Sequence, residues 1–311
     1  MSEGLSSNTQ AILLLTAPLI VGRAGAAPDL LSAAEYRLLA RHLREIKRQP
    51  ADLLSPEAVE VLDGCRAIVD PDRLQRLIGR GFLLSQAIER WQTRAIWVRS
   101  RADADYPRRL KARLKDDAPA LVYGCGDIGL TQAGGFAVIG TAKPDSDAIE
   151  DARRVGGLAA EAGTTLICGG AGALDQAALR GAVEVGGRVV SVLADGLERA
   201  ALNRDHRKWL IGGQLTLISA DDPNAPVETG GRQRRDTLVR TLADAVLLLC
   251  AEESAAVRHD GHDEMPVFVR SAGMASAPLD ALLAKGALRW PDPQDAEAFK
   301  TALDAARSGI I

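Results

Sequence analysis

The sequence has little of several features that would point to particular classes of protein. Its four cysteines are widely separated and none forms a CxxC pair, which argues against a zinc site and against a disulfide framework. Aromatic residues make up only 4% of the chain, so we expect a core of Ala, Leu, Val and Ile. The formal net charge is −3, so any binding to nucleic acid would depend on a local basic patch.

A membrane-spanning segment and a signal peptide are not expected either. The apolar run "AILLLTAPLIV", which starts at Ala11, is too short to cross a bilayer and is interrupted by Pro18. No basic segment precedes it, since the chain starts "MSEGLSSNTQ". We therefore expect a cytoplasmic protein that does not bind membranes.

Residues 1–95 have the pattern of a small helical domain. Ser32 and Glu35 have the spacing of a capping box, and the leucines that follow them recur at helical intervals. Two short amphipathic stretches, 73–78 and 83–91, are joined through Gly79-Arg80-Gly81. Such a pair of helices is either a contact for a nucleic-acid backbone or a small packing unit.

From Ala95 onward, short apolar runs alternate with amphipathic stretches. The runs are "AIWV", "ALVYG", "FAVIG", "TLICGG", "RVVSVLA", "LTLISA", "AVLLLCA" and "PVFVR". This alternation predicts a Rossmann-like α/β fold, in which a mostly parallel sheet has helices on both faces. We expect a helical N-terminal domain over residues 1–95, the Rossmann-like domain over 96–290, and a C-terminal helix and tail over 291–311.

Two glycine-rich turns follow strands of the predicted sheet, in "VIGTAKPDSDAI" and "TLICGGAGALDQAA". Open parallel sheets bind ligands where their strands end. Glycine lets main-chain N–H groups approach an anion there, and the next helix directs its positive dipole end to the same place. A tight turn with nothing bound is the alternative. The phosphate-binding candidates in these turns are Gly140, Thr141, Lys143, Ser146, Gly169, Gly170 and Gly172.

A third candidate element is the arginine cluster in "GGRQRRDTLVR". Arg232, Arg234 and Arg235 stand shortly before a predicted buried strand, and guanidinium groups suit phosphate oxygens. An ordinary solvated basic turn is the alternative. Because glycine turns occur in the same sheet, we include these three arginines among the candidate phosphate ligands.

Several segments, in this order, resemble the DprA/Smf family of DNA-processing proteins. "ADYPRRLKARLKDDAPALVYGCGD" is similar to the segment leading into that family's Rossmann-like domain, and "FAVIGTAKPDS" resembles its glycine-threonine-arginine strand end. "ICGGAGALDQAALRGAVEVGGRVVSVLADGL" is similar to its glycine-rich turn, helix and next strand. "GRQRRDTLVRTLADAVLLL" resembles its arginine-asparagine-arginine segment, and "PLDALLAKGA" its closing element. The resemblance covers roughly two-thirds of the chain.

The resemblance implies a function as well as a fold. It implies that the turns form a positive pocket that binds single-stranded DNA, without enzymatic activity and without a cofactor. It also implies a homodimer that passes the DNA to a recombinase, the RecA protein, in DNA uptake or genome defence.

Four positions depart from the family pattern. Ala142 replaces an arginine, with Lys143 beside it, and Gly172 replaces a second arginine. Leu179 falls where the family has a histidine. Asp236 places a carboxylate where the family has a neutral amide, which is expected to repel phosphate. These departures weaken the prediction of DNA binding and leave the prediction of the fold intact.

No catalytic set is recognised, and two other functions stay open. One is a sensor that binds a nucleotide or a nucleotide-derived ligand in the same crevice, because fewer arginines would suit fewer phosphates. The other is a scaffold that binds only protein. Hydrolysis is not expected, because the Pro-Gly-Gly-x-Gly-Thr turn of related hydrolases is missing. His259 and His262 in "HDGHDE" could bind a metal, but a polar loop is the expected interpretation and no metal site is predicted.

Overall fold

The computed structural model describes ten stretches of the chain, which fall in two compact units. The described residues are 4–19, 29–56, 58–140, 144–170, 172–194, 196–225, 231–249, 265–270, 276–290 and 296–307. The first unit comprises Met1–Cys125, Asp195–Ala201 and Ser219–Pro226, and the second comprises Gly126–Ala194, Leu202–Ile218 and Val227–Ile311. The three domain ranges expected from the sequence stay a prediction.

Helices precede the first strand and then alternate with strands. The early helices are α1 (Ser7–Thr16), α2 (Ala33–Glu45), α3 (Ala58–Gly64), α4 (Pro71–Ile78), α5 (Gly81–Gln92) and α6 (Arg108–Leu114), with 3-10 helices over Pro50–Leu54 and Lys115–Asp117. The later helices are α7 (Ser146–Glu161), α8 (Ala173–Glu184), α9 (Leu197–Leu202), α10 (Arg204–Ile211), α11 (Gly231–Leu242), α12 (Ser276–Ala284) and α13 (Ala296–Arg307), with a 3-10 helix over Ile128–Gln132.

The described strands form a nine-stranded sheet that is mostly parallel, with helices on both faces. The strands are β1 (Ile96–Ser100), β2 (Leu121–Cys125), β3 (Phe136–Gly140), β4 (Leu166–Gly169), β5 (Val189–Leu193), β6 (Leu215–Ser219), β7 (Ala245–Leu249), β8 (Val267–Val269) and β9 (Leu288–Arg289), in the spatial order β1-β2-β6-β5-β4-β3-β7-β8-β9. β1 and β2 are antiparallel. The Rossmann-like fold predicted from the sequence is confirmed, and β9 is a strand that the apolar runs did not indicate.

Local sequence signals explain where several helices begin. Ser32 and Glu35 form the expected capping box at the start of α2, because Ser32 accepts from the Glu35 N–H and Glu35 accepts from the Ser32 N–H. The two stretches joined through Gly79-Arg80-Gly81 are α4 and α5.

Arg80 turns its guanidinium inward, where Nη2 donates to the carbonyls of Leu14 and Ala17 at the end of α1. These carbonyls have no partner within α1, so Arg80 caps that helix.

In the second unit, α7 and α8 pack closely because both helices carry glycine at their contact. A Cβ on Gly156 would lie 2.0 Å from the carbonyl oxygen of Ala178, and a Cβ on Gly181 would lie 1.8 Å from that of Arg153. Any side chain at these two positions would therefore clash with backbone. This contact holds together the two helices that follow β3 and β4.

Candidate functional site

The two glycine turns follow neighbouring parallel strands. Val138 of β3 pairs with Cys168 of β4, so Gly140 and Gly170 stand at the same level of the sheet. On its other side β3 pairs with β7. The chain adds β4 and β5 on one side of β3 and β7 on the other, so the strand order reverses at β3. We call the edge at which β3, β4 and β5 end the carboxyl edge. It is the position at which open α/β sheets bind ligands.

The glycines at the carboxyl edge leave room for side chains of the protein itself. A Cβ on Gly140 would lie 2.5 Å from Cδ1 of Leu174, in the first turn of α8. A Cβ on Gly169 would lie 2.6 Å from Nη1 of Arg235, and one on Gly170 would lie 1.9 Å from Cδ2 of Leu193. Close packing therefore accounts for these three glycines, whether or not an anion binds above them.

A buried cluster of one arginine and two aspartates lies against Gly169; we call it the arginine–aspartate cluster. Arg235 Nη1 donates to Asp175 Oδ2 at 3.3 Å, and Arg235 Nε donates to Asp236 Oδ1 at 2.8 Å. Arg235 is 7% exposed and Asp236 is 3% exposed. The guanidinium that was expected to face phosphate is thus turned inward and already paired with carboxylates.

The protonation of the cluster follows from burial and from the pairing. Burial raises the pKa of Asp236, and the Arg235 guanidinium only partly offsets that rise. Burial also opposes the charge on Arg235, but Asp175 and Asp236 together raise its pKa above the usual value. Burial and the nearby Asp175 carboxylate raise the pKa of the Cys168 thiol. Cys168 therefore stays a neutral buried thiol, and Arg235 stays charged.

The second glycine turn is held by hydrogen bonds from its surroundings. The Gly172 N–H donates to Asp175 Oδ2 at 3.3 Å, which caps the start of α8. Ser191 Oγ donates to the Gly169 carbonyl, and Gln176 Nε2 donates to the Gly170 carbonyl. Asp175 therefore both caps α8 and pairs with Arg235. The carbonyls of Gly169 and Gly170 therefore already have donors within the protein.

The start of α11 lies beside the carboxyl edge and is basic. A Cβ on Gly231, the first residue of α11, would lie 3.5 Å from the carbonyl oxygen of Ala194, just after β5. Arg232 and Arg234 are exposed in this first turn, which contains no acidic residue. The positive helix dipole and two exposed guanidinium groups therefore occur together, an arrangement suited to an anion.

The first glycine turn is less suited to an anion in its described part. Thr141 and Lys143 lie outside the described residues. Asp145 caps α7 by accepting from the Ala148 N–H at 2.6 Å, and exposed Ser146 follows it. The α7 N-terminus therefore already faces a carboxylate.

Sequence reasoning missed a second buried arginine at this edge. Arg270 directly follows β8, is 6% exposed, and pairs with Asp151 of α7 and with Asp145. A charged residue placed directly after a buried strand was the signal available in the sequence. Arg270 ties the start of α7 to the sheet, much as Arg235 ties α11 to α8.

The described residues also bear on a metal site and on a membrane-spanning helix. Among them, no three or more His, Cys, Asp or Glu side chains gather in a way that could hold a metal ion. His259 and His262 lie outside the described part of the chain. None of the described helices combines the length and the apolar character needed to cross a membrane.

Comparison with known proteins gives one family and two informative structures. The family model described as DNA recombination-mediator protein A matches residues 97–257, more than half of the chain. DNA processing protein A (DprA) of Streptococcus pneumoniae has 18% sequence identity and a TM-score of 0.67, over 86% of this chain and 93% of that one. DNA processing protein A of Helicobacter pylori, which binds single-stranded DNA, has 19% identity and a TM-score of 0.53, over 67% and 95% of the two chains. No curated protein sequence matches the chain.

Proposed function

This chain belongs to the DNA recombination-mediator protein A family, and from that membership we propose that it binds single-stranded DNA without catalysing a reaction on it. The proposed contacts lie at the carboxyl edge, in the turns that follow β3 and β4 and at the start of α11. They are Gly140, Thr141, Lys143, Ser146, Gly169, Gly170, Gly172, Arg232 and Arg234. Arg235 is not one of these direct contacts. Its guanidinium is buried among Asp175, Asp236 and Gly169, where it holds α11 next to the second glycine turn.

The observation that carries the proposal is the start of α11. Arg232 and Arg234 are exposed there in the first described turn of the helix, which has no acidic residue, and Gly231 lies against the end of β5. Phosphate oxygens are recognised by guanidinium groups and by N–H groups at helix N-termini. The carboxyl edge holds few exposed cations, so we expect it to bind weakly and to contribute a part of the salt dependence that corresponds to about two or three phosphates.

The wider role follows from the family and belongs to the same proposal. We propose that the bound strand is passed to a recombinase, that the protein acts as a homodimer, and that it works in the cytoplasm. The family consists of DNA recombination mediators.

A salt titration with a fluorescently labelled single-stranded oligonucleotide tests the proposal by polarisation. The variant Arg232→Ala/Arg234→Ala is expected to weaken the binding and to reduce the slope of log K against log salt by about 1.4, for two lost contacts. The matched control is Arg188→Ala/Arg207→Ala, which removes two exposed arginines elsewhere in the second unit. Equal binding by the parent and the Arg232/Arg234 variant would show that DNA does not use this site.

A nucleotide or a nucleotide-derived ligand is the second candidate. The observation in its favour is that the arginine–aspartate cluster removes Arg235 from the surface, which leaves cations for only a few phosphates. Thermal unfolding in the presence of a nucleotide panel separates the two functions. A nucleotide that raises the melting temperature of a parent protein that does not bind DNA would favour the sensor.

A further inference from the structure

The two parts of the chain differ in charge. Residues 1–125 contain 19 Lys and Arg against 15 Asp and Glu, whereas residues 126–311 contain 19 against 26. The region that holds the carboxyl edge is therefore acidic, and the positive charge of the protein is concentrated before it. The first unit also includes Asp195–Ala201 and Ser219–Pro226, which bring its totals to 20 Lys and Arg against 19 Asp and Glu. Because a polyanion responds to the local field more than to the total charge, its attraction depends on where the cations of residues 1–125 are grouped.

Much of this positive charge lies on one surface of the first unit, formed by α2, α6 and the 3-10 helix Lys115–Asp117. We call it the basic surface and define it by six cations: Arg37, Arg41, Arg44, Arg101, Lys111 and Lys115. Arg37, Arg41 and Arg44 recur at intervals of four and three residues, so they lie on one face of α2.

Contacts around Asp116 hold the basic surface together. Arg41 Nη2 lies 3.6 Å from Asp116 Oδ2, and Arg101 Nη1 donates to the Asp116 carbonyl at 3.4 Å. Lys111 Nζ donates to the Arg101 carbonyl at 3.1 Å, which brings α6 to the same place. Arg37 pairs with the neighbouring Asp117.

The cations of the basic surface outnumber its carboxylates, and most of them are exposed. Asp116 and Asp117 pair with its arginines, and Glu45 lies one turn after Arg41 on α2, so three carboxylates lie on or beside it, against six cations. The side chain of Arg41 is 57% exposed, and Arg44, Lys111 and Lys115 are also exposed. The carboxylates are fewer than the cations, so the surface keeps a positive net charge.

We propose that the basic surface binds the phosphate groups of a DNA strand, without reading its bases. The inference rests on the proposed function, that the chain binds single-stranded DNA. It adds a second contact in the first unit, made by cations that the carboxyl edge does not provide.

The chemistry of the surface favours DNA over a protein or a membrane. An array of separate cations suits a chain of phosphates, whereas a protein interface needs an apolar centre inside its polar rim. α6, which is described over its whole length, exposes cations but no large apolar side chain, and on α2 only Leu38 is exposed among the large apolar side chains, with exposed Ile46 directly after the helix. Two separate apolar side chains do not form an apolar centre. A membrane-binding helix would need exposed apolar residues opposite its cations.

The test compares single-stranded DNA binding by the full chain and by the variant Arg44→Ala/Lys111→Ala/Lys115→Ala. Each phosphate contact on a single strand contributes about 0.7 to the slope of log K against log salt, so three lost contacts reduce the slope by about 2. We expect binding at low salt to weaken by about tenfold or more. The matched control, Arg188→Ala/Arg207→Ala/Lys208→Ala, removes three exposed cations of the second unit and should keep the parent slope. The variant Arg44→Lys/Lys111→Arg/Lys115→Arg keeps the charges and should also keep the slope.

The outcomes separate this inference from the proposed function. If the triple alanine variant binds as the parent does, the basic surface does not contact DNA, and the carboxyl-edge proposal is unaffected. If it loses binding while Arg232→Ala/Arg234→Ala does not, the inference stands and the carboxyl-edge site is wrong. If the charge-preserving variant loses binding as much as the alanine variant, the residues act structurally and the inference is overturned. A parent protein that binds no single-stranded DNA at low salt overturns both.

Discussion

Arg235 on α11 and Asp175 on α8 form a buried ion pair in which Nη1 and Oδ2 are 3.3 Å apart. The pair joins the first turns of two helices that begin at the carboxyl edge, and it lies directly against Gly169. Family resemblance places an arginine here to contact phosphate. The burial of Arg235 instead suits a residue that positions the second glycine turn, whereas Arg232 and Arg234 are exposed.

Loss of the Arg235 side chain should strongly destabilise the protein. In Arg235→Ala, Asp175 and Asp236 stay buried without their cation, and breaking a buried pair in this way costs about 3–5 kcal/mol. We expect the free energy of unfolding, measured by urea denaturation, to fall by that amount. The exposed Arg232→Ala is the control and should change it by no more than about 0.5 kcal/mol. Similar stability of the two variants would mean that the arginine–aspartate cluster does not support the fold.

Alanine substitutions at two adjacent glycines of α7 should change the stability of the protein in opposite directions. A Cβ on Gly156 would lie 2.0 Å from the Ala178 carbonyl oxygen, whereas a Cβ on Gly157 would lie 3.7 Å from the nearest atom, the Gly181 carbonyl oxygen. Gly156→Ala should therefore force α7 and α8 apart and cost about 1–3 kcal/mol, as overpacking does. Gly157→Ala should stabilise the helix by up to about 1 kcal/mol. Denaturation curves of both variants test the close approach, and a neutral Gly156→Ala would contradict it.

Much of the fold could be predicted from the sequence because its signals are local. The eight apolar runs correspond to β1 to β8, because strands that helices cover on both faces are apolar along their length. β9 has only two residues, Leu288 and Arg289, and too short a run carries no pattern. The capping box of Ser32 and Glu35 located the start of α2, because that motif depends only on residues close in sequence.

The candidate site was predictable only where it also depends on local signals. The glycine turns could be placed at one edge because parallel strands end on the same side. The direction of the Arg235 side chain could not, because it depends on Asp175, which is 60 residues away in the sequence. For the same reason the sequence suggested that Asp236 repels phosphate, whereas in the structure Arg235 pairs with it.

The pair of Glu35 and Arg73 should make stability depend on pH in acid. The hydrogen bond from Arg73, together with those from Ser32, lowers the pKa of Glu35 from 4.5 to about 2. Because this pKa is lower in the folded than in the unfolded state, the pair stabilises the protein above pH 4.5, and the stabilisation is lost as the pH falls toward about 2. Solvent screens the pair, so its contribution is at most about 1 kcal/mol.

The variant Glu35→Gln isolates this effect, because glutamine can keep the capping box without the charge. The difference in the free energy of unfolding between parent and variant should be largest at neutral pH and should shrink toward pH 2. A difference that stays constant over this range would show that the charge of Glu35 does not contribute.

Gly172→Arg should strengthen the binding of single-stranded DNA. The family resemblance places an arginine at this position, and a side chain fits there, since the nearest atom to a Cβ, Asp175 Oδ2, is 3.4 Å away and φ is −82°. One added phosphate contact should steepen the slope of log K against log salt by about 0.7. Gly172→Gln has a long side chain without the charge and should leave the slope unchanged. Polarisation of a labelled oligonucleotide across a salt titration measures both variants. If Gly172→Arg binds no better than Gly172→Gln, the DNA does not pass over the second glycine turn.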